Sequence, residues 1–104
     1  VIRFNMPERV MAGPLGHTAT TRYSYRLNRS FAPRGDYLGD ARALPPYLVI
    51  AGTDDEAFVA DAYAPTMLPV NPSAQFVLIA GETHLGVVTS DRTAAETLRF
   101  IDGL

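Results

Sequence analysis

The chain has 104 residues, is 47% apolar and 19% charged, and carries a net charge of -2. That composition suits one domain of roughly 100 residues and excludes a disordered chain, while no apolar run approaches the ~18 residues of a membrane-spanning helix. The absence of cysteine excludes thiol nucleophiles and Cys-based metal sites, and two histidines, His17 and His84, are too few for a multi-histidine zinc centre. No metal or cofactor is expected.

The charge is unevenly spread. Residues 1–42 hold Arg3, Arg9, Arg22, Arg26, Arg29, Arg34 and Arg42 against Glu8, Asp36 and Asp40, whereas residues 43–104 hold only Arg92 and Arg99 against the remaining acids. The arginines are scattered and accompany no nucleic-acid-binding motif, so no nucleic-acid partner is expected. The basic half reads as a flank lying against something acidic. The first residue is Val1, not Met, and the expectation is of a processed chain or a piece of a longer one.

Taken in order, Val1–Phe4 reads as the end of a strand, stopped by Asn5-Met6-Pro7. Gly13-Pro14 and Gly16 make residues 9–20 a loop. Tyr23, Leu27 and Phe31 recur at four-residue spacing and predict an amphipathic helix of about three turns, ended at Ala32-Pro33. The interval to Arg42 reads as polar and irregular. Pro45-Pro46 introduces a strong strand, Tyr47–Ala51, closed by Gly52. A helix is predicted over Ala57–Leu68, with Phe58, Val59, Ala62 and Tyr63 as its apolar stripe and Pro65 as an interruption. Pro69, Asn71 and Pro72 mark a loop. Gln75–Ala80 is a second strong strand, broken by Gly81. Leu85–Val88 is a short apolar stretch, and Ser90-Asp91 opens a final helix to about Asp102 with Ala94, Leu98 and Ile101 on one face.

Residues 44–104 thus read strand–helix–strand–helix, the pattern of parallel α/β architecture. Each strand is a continuous apolar run, as in strands buried on both faces, and each ends in a glycine turn. The first turn, Gly52-Thr53-Asp54-Asp55-Glu56, delivers acids. The second, Gly81-Glu82-Thr83-His84, delivers a histidine. Ligands of open α/β sheets sit at the carboxyl ends of strands, so an acid and an imidazole from adjacent ends are placed to meet. A carboxylate on one ring nitrogen fixes the tautomer and stabilises the imidazolium, which is what a histidine general base requires. Taken singly, the acid also reads as a helix cap and the histidine as an ordinary turn residue.

The segments Pro46–Glu56 and Phe76–Gly86 resemble the C-terminal part of the α/β-hydrolase family. In that family the penultimate strand runs into Gly-x-x-Asp, the last strand runs into a turn bearing the catalytic histidine, and a C-terminal helix closes the domain. The resemblance implies that Asp55 is the acid and His84 the base, with Asp54 second to Asp55 and Glu56 turned to solvent or the helix end. It is most similar to the esterase, lysophospholipase and serine-aminopeptidase-like branch. The fold implied is the C-terminal portion of a mainly parallel α/β-hydrolase sheet flanked by helices, incomplete in this chain. Residues 1–43 correspond to the end of a sixth strand plus a lid- or cap-like segment, with the Tyr- and Arg-rich residues 22–31 contributing to the lid.

The family's nucleophile sits on Gly-x-Ser-x-Gly, and none of Ser24, Ser30, Ser73 or Ser90 has that context. Gly16-His17-Thr18-Ala19-Thr20 imitates it only in part and lacks a preceding strand, so His17 reads as a loop residue. The resemblance therefore implies a partner, the N-terminal half carrying the nucleophile, and a small-molecule ester or amide substrate. An aspartate nucleophile, as in dehalogenase- or epoxide-hydrolase-like enzymes, is a further option. The alternative from another class is a small non-catalytic α/β interaction or assembly module.

Overall fold

The computed structural model describes residues 1–104, which divide into two units, 1–35 and 36–104. In the first, strand β1 (Ile2–Arg3) pairs antiparallel with β2 (Arg22–Tyr23). Phe4 stacks edge-on against Tyr23 at 5.1 Å between ring centres. Between the strands lie a one-turn helix α1 (Glu8–Met11) and a 3₁₀ turn, Gly16–Thr18. Gly16 is buried because a Cβ there would collide with the Met11 carbonyl. Helix α2 (Tyr25–Ser30) follows.

The expected three-turn helix over Tyr23–Phe31 is thus cut to six residues. Tyr23 is claimed by the strand pairing with Ile2. Ser24 is extended, and its Oγ accepts the Leu27 N–H at 3.1 Å, so it caps the helix rather than continuing it. At the far end Pro33 disfavours helical geometry at Ala32.

The second unit opens with helix α3 (Tyr37–Ala43), where an irregular segment was expected. Asp36 caps it, its Oδ1 accepting the Gly39 N–H at 3.0 Å, and Arg42 lies in the last turn where the helix dipole favours a cation. Strands β3 (Leu48–Gly52) and β4 (Gln75–Ile79) then form a parallel pair, Val49 opposite Phe76 and Ala51 opposite Leu78. Both lie within a residue of their predicted bounds. Directly paired residues share a face, so Val49, Ala51, Phe76 and Leu78 line one side, and Ile50, Val77 and Ile79 the other. Ile79 is the most deeply buried large side chain, 1% exposed.

The connection between the strands departs from the predicted Ala57–Leu68 helix. It holds a 3₁₀ turn, Ala60–Ala62, and only a short helix α4 (Tyr63–Met67). Val59 is extended, with ψ 94°, which separates the Asp55 turn from the helix. Pro65 sits in the first turn of α4, where its missing N–H would have had no intrahelical acceptor anyway. A cavity of about 90 Å³ lies where Tyr63 and Ala64 cover Val49, Ala51, Phe76 and Leu78.

After a 3₁₀ turn, Gly86–Thr89, helix α5 (Asp91–Asp102) packs across both strands, with the bounds the sequence predicted. Its half-buried positions are Thr93, Glu96 and Phe100, at i, i+3 and i+7. The expected apolar face is open: Leu98 is 61% and Ile101 55% exposed. A two-stranded sheet is too narrow to cover both stripes of the helix. The fold class is mixed α/β, with two small sheets and one parallel pair.

Candidate functional site

The two glycine turns that leave β3 and β4 are fastened to each other. A Cβ on Gly52 would collide with the Glu82 carbonyl, so only glycine allows the turns to approach this closely. Gly81 has φ +77°, the left-handed region where side chains are strained. The Thr53 N–H donates to the Ile79 carbonyl at 3.0 Å and the Asp54 N–H to the Glu82 carbonyl at 2.9 Å. The Thr53 hydroxyl accepts the Gly81 N–H at 2.8 Å. The two turns therefore form one hydrogen-bonded body.

Asp55 and His84 meet on it. His84 Nδ1 lies 3.0 Å from Asp55 Oδ2. The other carboxylate oxygen, Oδ1, accepts the N–H groups of Ala57 and Phe58, each at 2.8 Å. These bonds resemble a helix cap, but no helix follows directly, so Asp55 closes a turn and aims its second oxygen at the imidazole. The Asp55 side chain is 5% exposed and that of His84 39%. The carboxylate is thus shielded and the imidazole remains open to solvent.

The hydrogen bond from the His84 side chain holds the Asp55 carboxyl below its ordinary value; burial opposes it as the next influence, and the Phe58 and Ala57 N–H groups act with the imidazole. An ionised carboxylate only accepts hydrogen bonds, so Nδ1 carries the proton and Nε2 is left to exchange one. The Phe58 ring packs against the imidazole at 5.3 Å between ring centres, tilted by 49°.

Asp54, the second candidate acid, points elsewhere. Its Oδ1 accepts from the Thr53 hydroxyl at 3.3 Å. Glu56, expected to turn to solvent or the helix end, instead uses its Oε2 to accept the His84 backbone N–H at 3.1 Å. That bond is the leading reason its carboxyl lies below the ordinary range, followed by its own backbone N–H. Thr53, Glu56 and Phe58 were invisible as site residues in the sequence, because their roles depend on contacts with a turn far along the chain. The only available signal was their place beside Asp55 in a turn.

His17 is exposed in the 3₁₀ turn Gly16–Thr18, preceded by turn residues rather than a strand, so no nucleophile elbow forms there. The cavity beneath α4 does not include Asp55 or His84 in its lining and does not serve the pair. No cluster of three or more His, Asp or Glu side chains is arranged to hold a metal ion, and no helix is long and apolar enough to cross a membrane. No family model, curated protein or solved structure matches the chain.

Proposed function

We propose that this chain is the C-terminal segment of a serine α/β-hydrolase and supplies the acid and the base for hydrolysis of an ester or amide. The observation that carries the reading is the Asp55 Oδ2–His84 Nδ1 contact of 3.0 Å, with the acid shielded and the imidazole half open. The chain contains no Gly-x-Ser-x-Gly, so the nucleophile and the oxyanion hole belong to an N-terminal segment of the same hydrolase. His84 Nε2 takes the proton of that serine as its oxygen attacks the carbonyl, then gives it to the leaving group. Water repeats the cycle on the acyl-enzyme. Asp55 stays ionised throughout, fixing the tautomer and stabilising the imidazolium.

The test is made in the full-length polypeptide. A fluorophosphonate probe should label one serine, and H84A should abolish labelling and lower ester turnover by at least about 10³-fold, with the fold intact. Turnover surviving in H84A refutes the assignment.

A second reading is a small non-catalytic interaction module. The observation favouring it is that β3 and β4 pair only with each other, leaving both outer edges of the parallel sheet open to another chain. Intact mass of the natural product separates the two. A stable 104-residue species without an N-terminal companion supports the module.

A further inference from the structure

The backbone of His84 is held by a side chain that takes no part in the acid–imidazole contact. Within the second turn the Glu82 N–H donates to the Ile79 carbonyl, the Gly86 N–H to Thr83 Oγ1 and the Val87 N–H to the Thr83 carbonyl. The His84 N–H instead finds its acceptor across the site, on Glu56 Oε2 at 3.1 Å. Its ring is held by Asp55 at 3.0 Å. Successive residues of one turn thus grip both ends of the histidine, its amide and its imidazole. With the amide plane and the ring both fixed, χ1 and χ2 have little room to leave the rotamer that puts Nδ1 on the carboxylate.

We propose that Glu56 is a positioning residue for His84: its carboxylate accepts the His84 backbone N–H and so keeps the imidazole seated on Asp55. Glu56 is not a spare acid for the pair, because its hydrogen bond goes to the backbone and not to the ring. What the position requires is an acceptor oxygen at the right reach. Glutamine retains one, and alanine does not.

The experiment compares wild type, E56Q and E56A in the full-length polypeptide by amide hydrogen exchange and by ¹⁵N spectra of the imidazole. E56A should lose roughly tenfold or more of the protection at the His84 N–H, with amides of β4 as the internal reference for local rather than global opening. It should also replace a dominant Nδ1–H tautomer by a mixture. E56Q should keep protection within about threefold and keep the tautomer. If E56A disturbs the β4 amides as well, E56D carries the test, since it keeps the charge and withdraws the acceptor by one methylene. The proposal is overturned if the variant lacking the acceptor matches wild type at the His84 N–H, or if E56Q falls as far as E56A.

The catalytic consequence rests on the hydrolase reading. In the full-length polypeptide, E56A should lower kcat by about 10–100-fold with KM unchanged, and E56Q should restore it. Absence of turnover in every form, including wild type, would count against the hydrolase reading alone. The exchange and tautomer data would still decide whether Glu56 positions His84.

Discussion

Asp55 completes its coordination with three donors: the imidazole of His84 and the N–H groups of Ala57 and Phe58. Glu56 takes the His84 N–H. Both carboxyls titrate below their ordinary values of 3.8 and 4.5, so the folded chain keeps them ionised at a pH where the unfolded chain protonates them. A depressed carboxyl contributes stability that is complete above the unfolded value and is lost as pH falls through the lower folded value. The thermal midpoint should therefore hold steady above about pH 5 and decline below about pH 4. D55N and E56Q should each flatten that decline, measured by thermal melts across pH 2–6. An acid limb unchanged in both variants would show that these carboxylates do not set it.

At the scale of elements, the site depends on two short strands and the turns after them, and the strands in turn depend on how α3 is anchored. Asn71 is 7% exposed and fully engaged. Its Nδ2 donates to the carbonyls of Ala41 and Leu44, each at 3.0 Å, which closes the C-terminal end of α3. Its Oδ1 accepts the Ser73 N–H at 3.1 Å and so shapes the turn into β4. Asn71→Ala removes these three bonds, leaving the Ala41 carbonyl only its bond from the Leu44 N–H, and should cost about 1–3 kcal/mol in urea unfolding. A loss below about 0.5 kcal/mol would mean that water replaces the amide without penalty. The strands were legible because Tyr-Leu-Val-Ile-Ala and Gln-Phe-Val-Leu-Ile are β-branched and apolar runs bounded by proline and glycine. The short helices were not. Side-chain caps at Ser24 and Asp36 set two of their starts, and the extended Val59 keeps the Asp55 turn from running on into a helix.

For the molecule as a whole, the buried apolar set is Ala41, Ala51, Ala74 and Ile79, a small core for its length. The parallel sheet has two strands, fewer than an independently stable sheet ordinarily needs. Large apolar side chains on several elements stay open to solvent, among them Phe31, Val59, Val88, Leu98 and Ile101. The isolated 104-residue chain should accordingly bind a hydrophobic dye and self-associate at micromolar concentration, and on the proposed hydrolase reading an N-terminal segment should suppress both. Sedimentation and dye fluorescence check this. A monomeric, dye-silent chain with a sharp unfolding transition would favour the self-sufficient module.

The sequence by itself determined the two strands, the glycine turns that end them, the bounds of α5 and the bringing together of an acidic turn and a histidine turn. These are local properties: apolar continuity, β-branching, turn residues and a helix cap can each be read within a few positions. Only the tertiary structure decided which acid faces the imidazole. Asp54 and Asp55 are adjacent and chemically equal in the sequence, but the Asp54 N–H is drawn to Glu82 and its carboxylate to Thr53, leaving Asp55 to reach His84. The tertiary structure also decided that Glu56 holds the histidine backbone, because that bond joins residues 28 positions apart that no local pattern connects.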